Sequence, residues 1–127
     1  MNKTKYVDGF VLVVPKKKVE EYRKMAEGGK KMWMKYGALD YKECIGDDLN
    51  PNMGGMKGLT FTKMVKLKKG ETVWFSYITY KSRAHRDQVN KKVMAEMDKM
   101  ADQYKNMPMP FDMKRISYAG FKVIVSK

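Results

Sequence analysis

The chain has very little of the residues that usually announce a chemistry. Its 127 residues contain one cysteine, Cys44, and one histidine, His85. A lone cysteine forms no internal disulfide, and the pair leaves no zinc-ligand cluster, no Cys-x-x-Cys redox motif and no axial set for haem. No metal site and no cofactor is therefore expected. Long apolar runs are missing too: the longest, Phe10 to Val14, has five residues, against the roughly 20 needed to cross a bilayer. The start carries Lys3 and Lys5, but no apolar stretch of signal-peptide length follows. A cytoplasmic protein without a membrane partner is the expectation. Arginine is scarce as well. Of 27 basic side chains only Arg23, Arg83, Arg86 and Arg115 are arginines, against 14 acidic groups.

What is present is lysine and a foldable core. The formal net charge is +13, and 43% of the residues are hydrophobic and 12% aromatic, which excludes wholesale disorder. The length suits one domain spanning residues 1–127. Lysine is a solvated point charge, whereas arginine forks onto phosphates and guanine edges. The lysines are also dispersed; the one dense single-sign block is Lys57, Lys63, Lys66, Lys68 and Lys69. With Lys16 to Lys18 it makes a polyanion or RNA surface the alternative reading of this chain, behind a small-molecule one.

The periodicities predict a strand–helix–strand, a hairpin, a helix and a strand. Tyr6 to Val14 is β-branched and aromatic and is closed by Pro15, and both its faces are apolar, as in a central strand. Lys16 to Tyr36 places Val19, Tyr22, Ala26, Gly29, Trp33 and Tyr36 on one helical stripe, and Gly29 on that stripe predicts close contact with the sheet. Leu39 to Ile45 alternates as a half-exposed strand, and Gly46 to Gly58 carries turn signals throughout. Leu59 to Leu67 and Thr72 to Tyr80 are expected to form a β-hairpin. Ser82 caps a helix to about Tyr104, with Val89, Val93, Met97, Met100 and Tyr104 inward. Arg115 to Val125 is the last strand. The result is an α+β fold with an antiparallel sheet and two helices on one face. The other face, expected to carry Phe10, Leu12, Tyr118 and Ile124, needs a cover, and a second copy of the chain is the simplest one.

The segments VDGFVLVVP, YGALDYKEC, VWFSYITYKS, RDQVNKKVM and MPFDMKRISYAGF resemble the short bacterial proteins typified by YbaA, a family of unknown function in the dimeric α/β-barrel superfamily. The resemblance runs from about Tyr6 to Val125, and Met109 to Phe121 is its most specific part. It implies a ferredoxin-like sandwich whose sheet packs on that of a second protomer to form a barrel. It carries no activity with it. The lysine excess and the Asn-Met-Gly-Gly loop depart from the family.

Several residues could build a site. Asp8, on a strand face with Phe10 and Leu12, is a candidate base if desolvated in a cavity; the simpler reading is an ion pair with a lysine or Arg115. Arg115 could clamp an anionic ligand, or bond Asp112 and lock the Pro-Phe-Asp loop, which is favoured. His85, flanked by Arg83 and Arg86, reads first as a solvated side chain, with Tyr118 as another assistant in catalysis. Phe10, Trp74, Phe111, Asp112 and Arg115 are the ligand-binding candidates, although Trp33, Trp74, Tyr77, Tyr80, Phe111 and Tyr118 read first as core or dimer interface. Cys44 reads as an inert small hydrophobe or a half-buried thiol. Met94, Met97 and Met100 stand at helical spacing and read as packing. Gly54 to Gly58 lacks the Lys-Ser/Thr ending and following helix of a phosphate loop. The expected function is a homodimer binding a small anionic or aromatic metabolite, with cofactor-independent catalysis or a ligand-free adaptor role left open.

Overall fold

In the computed structural model, which describes residues 3–127, the apolar run near the start is the middle of everything. Met1 and Asn2 lie outside the described residues. Strand β1 (Tyr6–Pro15) pairs antiparallel with β3 (Glu71–Tyr80) on one side and β4 (Ser117–Lys122) on the other. Strand β2 (Asp40–Ile45) adds antiparallel to the outer side of β3, so the order is β2-β3-β1-β4. A strand with neighbours on both edges and side chains on both faces is the one that profits most from β-branched residues, and β1 has them.

After Pro15 the chain makes one 3-10 turn, Lys16–Lys18, and enters α1 (Val19–Lys35). Gly37, at φ 107°, ends it, a backbone setting that favours glycine. Helix α3 (Arg83–Lys99) starts at Ser82, whose hydroxyl accepts the His85 N–H. Both helices lie on the same face of the sheet. Val89 and Val93 of α3 pack on Tyr6, Ile78 and Tyr80 of the sheet; Tyr22 and Ala26 of α1 pack on Leu12, Val14 and Trp74. Complete burial of a Leu or Val side chain contributes about 1.5–3 kcal/mol, so these two clusters hold the layers together.

Four expectations need correction. The segment 59–67 is not a strand: β2 takes the place beside β3. Thr60 accepts the Lys63 N–H and starts a short helix, α2 (Phe61–Met64), which puts the Phe61 ring 6.3 Å from Phe75. Local bonds from Met64 to Thr60 and from Val65 to Phe61 satisfy backbone that a strand would have needed a partner for. The second long helix breaks at Met100 before a final turn, α4 (Ala101–Tyr104), and Met97 and Tyr104 are exposed. Arg115 belongs to a 3-10 turn, Met113–Arg115, started by the Asp112 carboxylate accepting the Lys114 N–H. β4 ends at Lys122, leaving Ile124 and Val125 exposed.

The fourth correction concerns the faces. Leu12 is buried beneath α1, Phe10 packs toward the α3 cluster, and Tyr118 stacks on Phe10 at 6.3 Å on that same side. The face without helices carries Val7, Gly9 and Val11 of β1, Phe75 and Tyr77 of β3, and Phe121 of β4. β1 is apolar on both faces, so its own alternation does not say which one the helices take.

Candidate functional site

Two carboxylates stand on the helix-covered side of the sheet. Asp8 on β1 is buried and accepts a 2.7 Å hydrogen bond from Arg86 Nη1, on the first turn of α3. Arg86 also bonds Asp87 and lies over the Tyr6 ring. Next to it Asn90, one turn further along, accepts from Trp33 Nε1 at 3.0 Å and from the Tyr80 hydroxyl. Burial pushes the Asp8 carboxyl above its ordinary value, and Arg86 draws it only partly back. The partner is thus neither a lysine nor Arg115.

Glu43 on β2 is half-buried and has different company. Its two oxygens accept hydrogen bonds from the Tyr22 hydroxyl of α1, at 2.8 Å, and from the Tyr41 hydroxyl, at 2.7 Å. Tyr41, Glu43 and Ile45 share a face because strand side chains alternate. Tyr22 meets them because α1 turns that stripe inward. Burial raises both phenols, with the Glu43 charge adding to it, so both stay protonated as donors. Gly29 gives α1 its close approach: a Cβ there would stand 2.9 Å from the Tyr41 hydroxyl oxygen.

Beside Glu43 lies a cleft of about 340 Å³. Val19, Arg23, Ala26, Glu27 and Lys30 of α1 form one wall; Tyr41, Glu43 and Ile45 of β2, with Trp74 of β3, form the other. Trp74 is buried, in edge contact with Tyr22 at 4.7 Å, and its Nε1–H has no hydrogen-bond partner among the described residues. A buried, unbonded indole N–H is uncommon enough to need a reason. A second hollow, of about 540 Å³, lies on the open sheet face among Val7, Val11, Phe75, Tyr77 and Phe121. Phe75 and Phe121 are exposed there.

The other candidates fall elsewhere. Arg115 bonds Glu71 at 2.5 Å and the carbonyls of Val65 and Lys66; the expected Asp112 side-chain bond is replaced by this tie across the chain. Phe111 packs edge-on against Tyr22 at 5.6 Å, so it backs the cleft through that ring. His85 is half-buried, not freely solvated: Nδ1 accepts the Lys81 N–H at 3.0 Å and the ring stands edge-on to Tyr80. Tyr118 is exposed and stacked on Phe10. Cys44 is exposed rather than half-buried, in register with Phe75. Lys57, Lys63, Lys66, Lys68 and Lys69 are all exposed on the connection from Gly46 to Gly70. Met94 and Met97 are exposed rather than packed. No helix among the described residues is long and apolar enough to cross a membrane.

Of the catalytic and ligand-binding candidates drawn from the sequence, Trp74 lines the cleft and Phe111 backs it. Glu43, Tyr22 and Tyr41 escape sequence reasoning as a group, although a glutamate on the apolar side of an alternating strand is a signal. Arg86 also carried one, because it extends the Val89–Val93 stripe by three residues toward the helix start.

Residues 5–113 match the family model described as "Protein of unknown function (DUF1428)". The chain is 38% identical over 125 residues to the uncharacterized protein YbaA of Escherichia coli K12, covering 97% of this chain and 99% of that one. Among solved structures it is similar to a putative amidohydrolase/peptidase from Burkholderia cenocepacia, at 10% identity and a TM-score of 0.31. It is also similar to AtUAH in complex with glyoxylate, at 11% identity and a TM-score of 0.35. It spans only 27% and 28% of those two chains, a likeness that says nothing about activity.

Proposed function

The chain belongs to the DUF1428 family of proteins of unknown function, and on that premise we propose that it is a homodimer binding a small metabolite in the cleft between α1 and β2. One observation carries the ligand: the Glu43 carboxylate, fixed by two phenols, borders a cleft whose size lies in the range of small-molecule sites. Trp74, whose indole N–H has no partner among the described residues, lines the same cleft. Aromatic and apolar walls with a few placed polar groups are what such sites are made of.

The ferredoxin-like reading is supported by the antiparallel order β2-β3-β1-β4 with both helices on one side. The barrel reading is supported by the opposite face, where Val7, Val11, Phe75, Tyr77 and Phe121 form an apolar surface beside the Phe61 ring. A patch of that kind is what an isologous dimer buries. Light scattering is expected to return twice the chain mass, and Val11→Asp, at the middle of the face, to return a monomer that keeps its fold. A monomeric natural chain would overturn the dimer.

The cleft is tested by a fragment screen on the 15N-labelled protein. Bound fragments are expected to move the indole N–H signal of Trp74 and the amides of Tyr41 and Glu43. Fragments that bind without moving any of the three would overturn the cleft as the site.

A further inference from the structure

Glu43 differs from the other inward carboxylates in the charge of what holds it. Asp8 faces Arg86, Glu71 faces Arg115, and Glu96 faces Lys35; the two hydrogen bonds to Glu43 come from neutral phenols. Among the described residues its carboxylate has hydrogen bonds but no ion pair, and it lines the cleft together with Tyr41 and Trp74. Ring faces of this type attract a cation within about 6 Å. The α1 wall carries both signs, Arg23 and Lys30 with Glu27 between them, and its excess is positive. Arg23 and Lys30, two turns apart, line the cleft with side chains 65% and 48% exposed. Their partners, Glu20 at 3.4 Å and Glu27 at 2.8 Å, are exposed neighbours on the same helix. Such pairs are weak, so both cations are free to exchange them for a better acceptor. Val19, Ala26 and Ile45 supply apolar wall in the same cleft.

Taking the cleft of the preceding section as the ligand site, we infer that its ligand is a small amino carboxylate, with the ammonium group at Glu43 and the carboxylate at Arg23 and Lys30. A plain anion would meet the Glu43 charge, and a plain amine would leave the two cations of α1 unused. A zwitterion answers both. A guanidinium can grip the carboxylate bidentately, while the apolar wall takes the side chain.

The full-length protein is titrated with the twenty common L-amino acids, followed by indole-signal shifts of Trp74 and by calorimetry. For any amino acid that binds, the matching amine and the matching acid are titrated next. The amino acid is expected to bind at least tenfold more tightly than either. Glu43→Gln is expected to weaken the amino acid and the amine at least tenfold and to spare the acid. Arg23→Gln, on an exposed side chain that the fold does not need, is expected to weaken the amino acid and the acid and to spare the amine. An acid or amine that equals the amino acid, or failure of all twenty to bind, overturns the inference. If fragments still move the Trp74 signal in that event, the cleft remains the site and only its ligand class is wrong. If fragments bind only elsewhere, the cleft falls with it.

Discussion

Asp8 and Glu43 are carboxylates on the same side of one sheet, and the protein finishes them in opposite ways. Asp8 sits on the central strand and is closed over by α3: a guanidinium neutralises it, and Tyr6 covers the guanidinium. Glu43 sits on the edge strand and is steadied by two hydroxyls beside a cleft. The first arrangement spends the charge on holding two elements together. The second keeps the charge available. A buried acid is therefore not by itself a sign of chemistry; the partner's charge and the space alongside separate a structural pair from a site.

The largest expected effect tests the closed side. Arg86→Met leaves Asp8 buried with no cation, which costs about 3–5 kcal/mol, read as a drop in the urea midpoint at constant slope. Adding Asp8→Asn to it should restore much of that loss, since the uncompensated charge is gone. A loss under about 1 kcal/mol from Arg86→Met would mean that the pair is merely a surface contact.

A medium effect tests the open side through two adjacent glycines of α1. A Cβ at Gly28 meets nothing within 4 Å, so Gly28→Ala should stabilise by about 1 kcal/mol from helix propensity. Gly29→Ala gains the same but pushes the Tyr41 hydroxyl off Glu43, forfeiting a hydrogen bond of about 1 kcal/mol. Its stability should stay near that of the natural chain, and its ligand affinity should fall. Equal stabilisation by both substitutions would show that α1 does not press on Tyr41.

The smallest effect is one of sign. The folded-state value of Asp8 is raised above 3.8 by burial, so between 3.8 and that higher value the folded chain binds more protons than the unfolded one. Stability contributed there falls as pH rises. Glu71 is the reverse: Arg115 holds its carboxyl below 4.5, so its contribution is present above 4.5 and is lost as pH falls through the lower value. Urea titrations across the acid range should show Asp8→Asn removing a falling component and Glu71→Gln a rising one. The same slope change from both would contradict the two environments.

The sheet and the long helices were legible because each rests on a strong local pattern. Tyr6 to Pro15 is dense in β-branched residues, and Val19 to Lys35 repeats its apolar residues every three or four positions. The faces of β1 were not legible, because Val7 and Val11 look as buriable as Leu12 and Val14, and only the helices decide between them. Residues 59–67 misled because Leu59, Phe61, Val65 and Leu67 alternate like a strand, while the outcome turned on the Thr60 cap and on β2 taking the edge of β3. The site was hidden for a similar reason. Glu43 reads as an ordinary polar residue until α1 brings Tyr22, 21 positions away, onto its oxygen.

The Arg115 tie also bears on how the fold tolerates change. The connection from Gly46 to Gly70 is pinned near its far end by Arg115, reaching the carbonyls of Val65 and Lys66. Upstream of that pin, residues 47–59 are almost wholly exposed and lie outside the regular elements. Lengthening a free loop costs only about 0.6 kcal/mol per doubling. The stretch before the pin is thus a natural splice point, where sequence can be inserted, lost or recoloured in charge while the sheet behind Arg115 keeps its register.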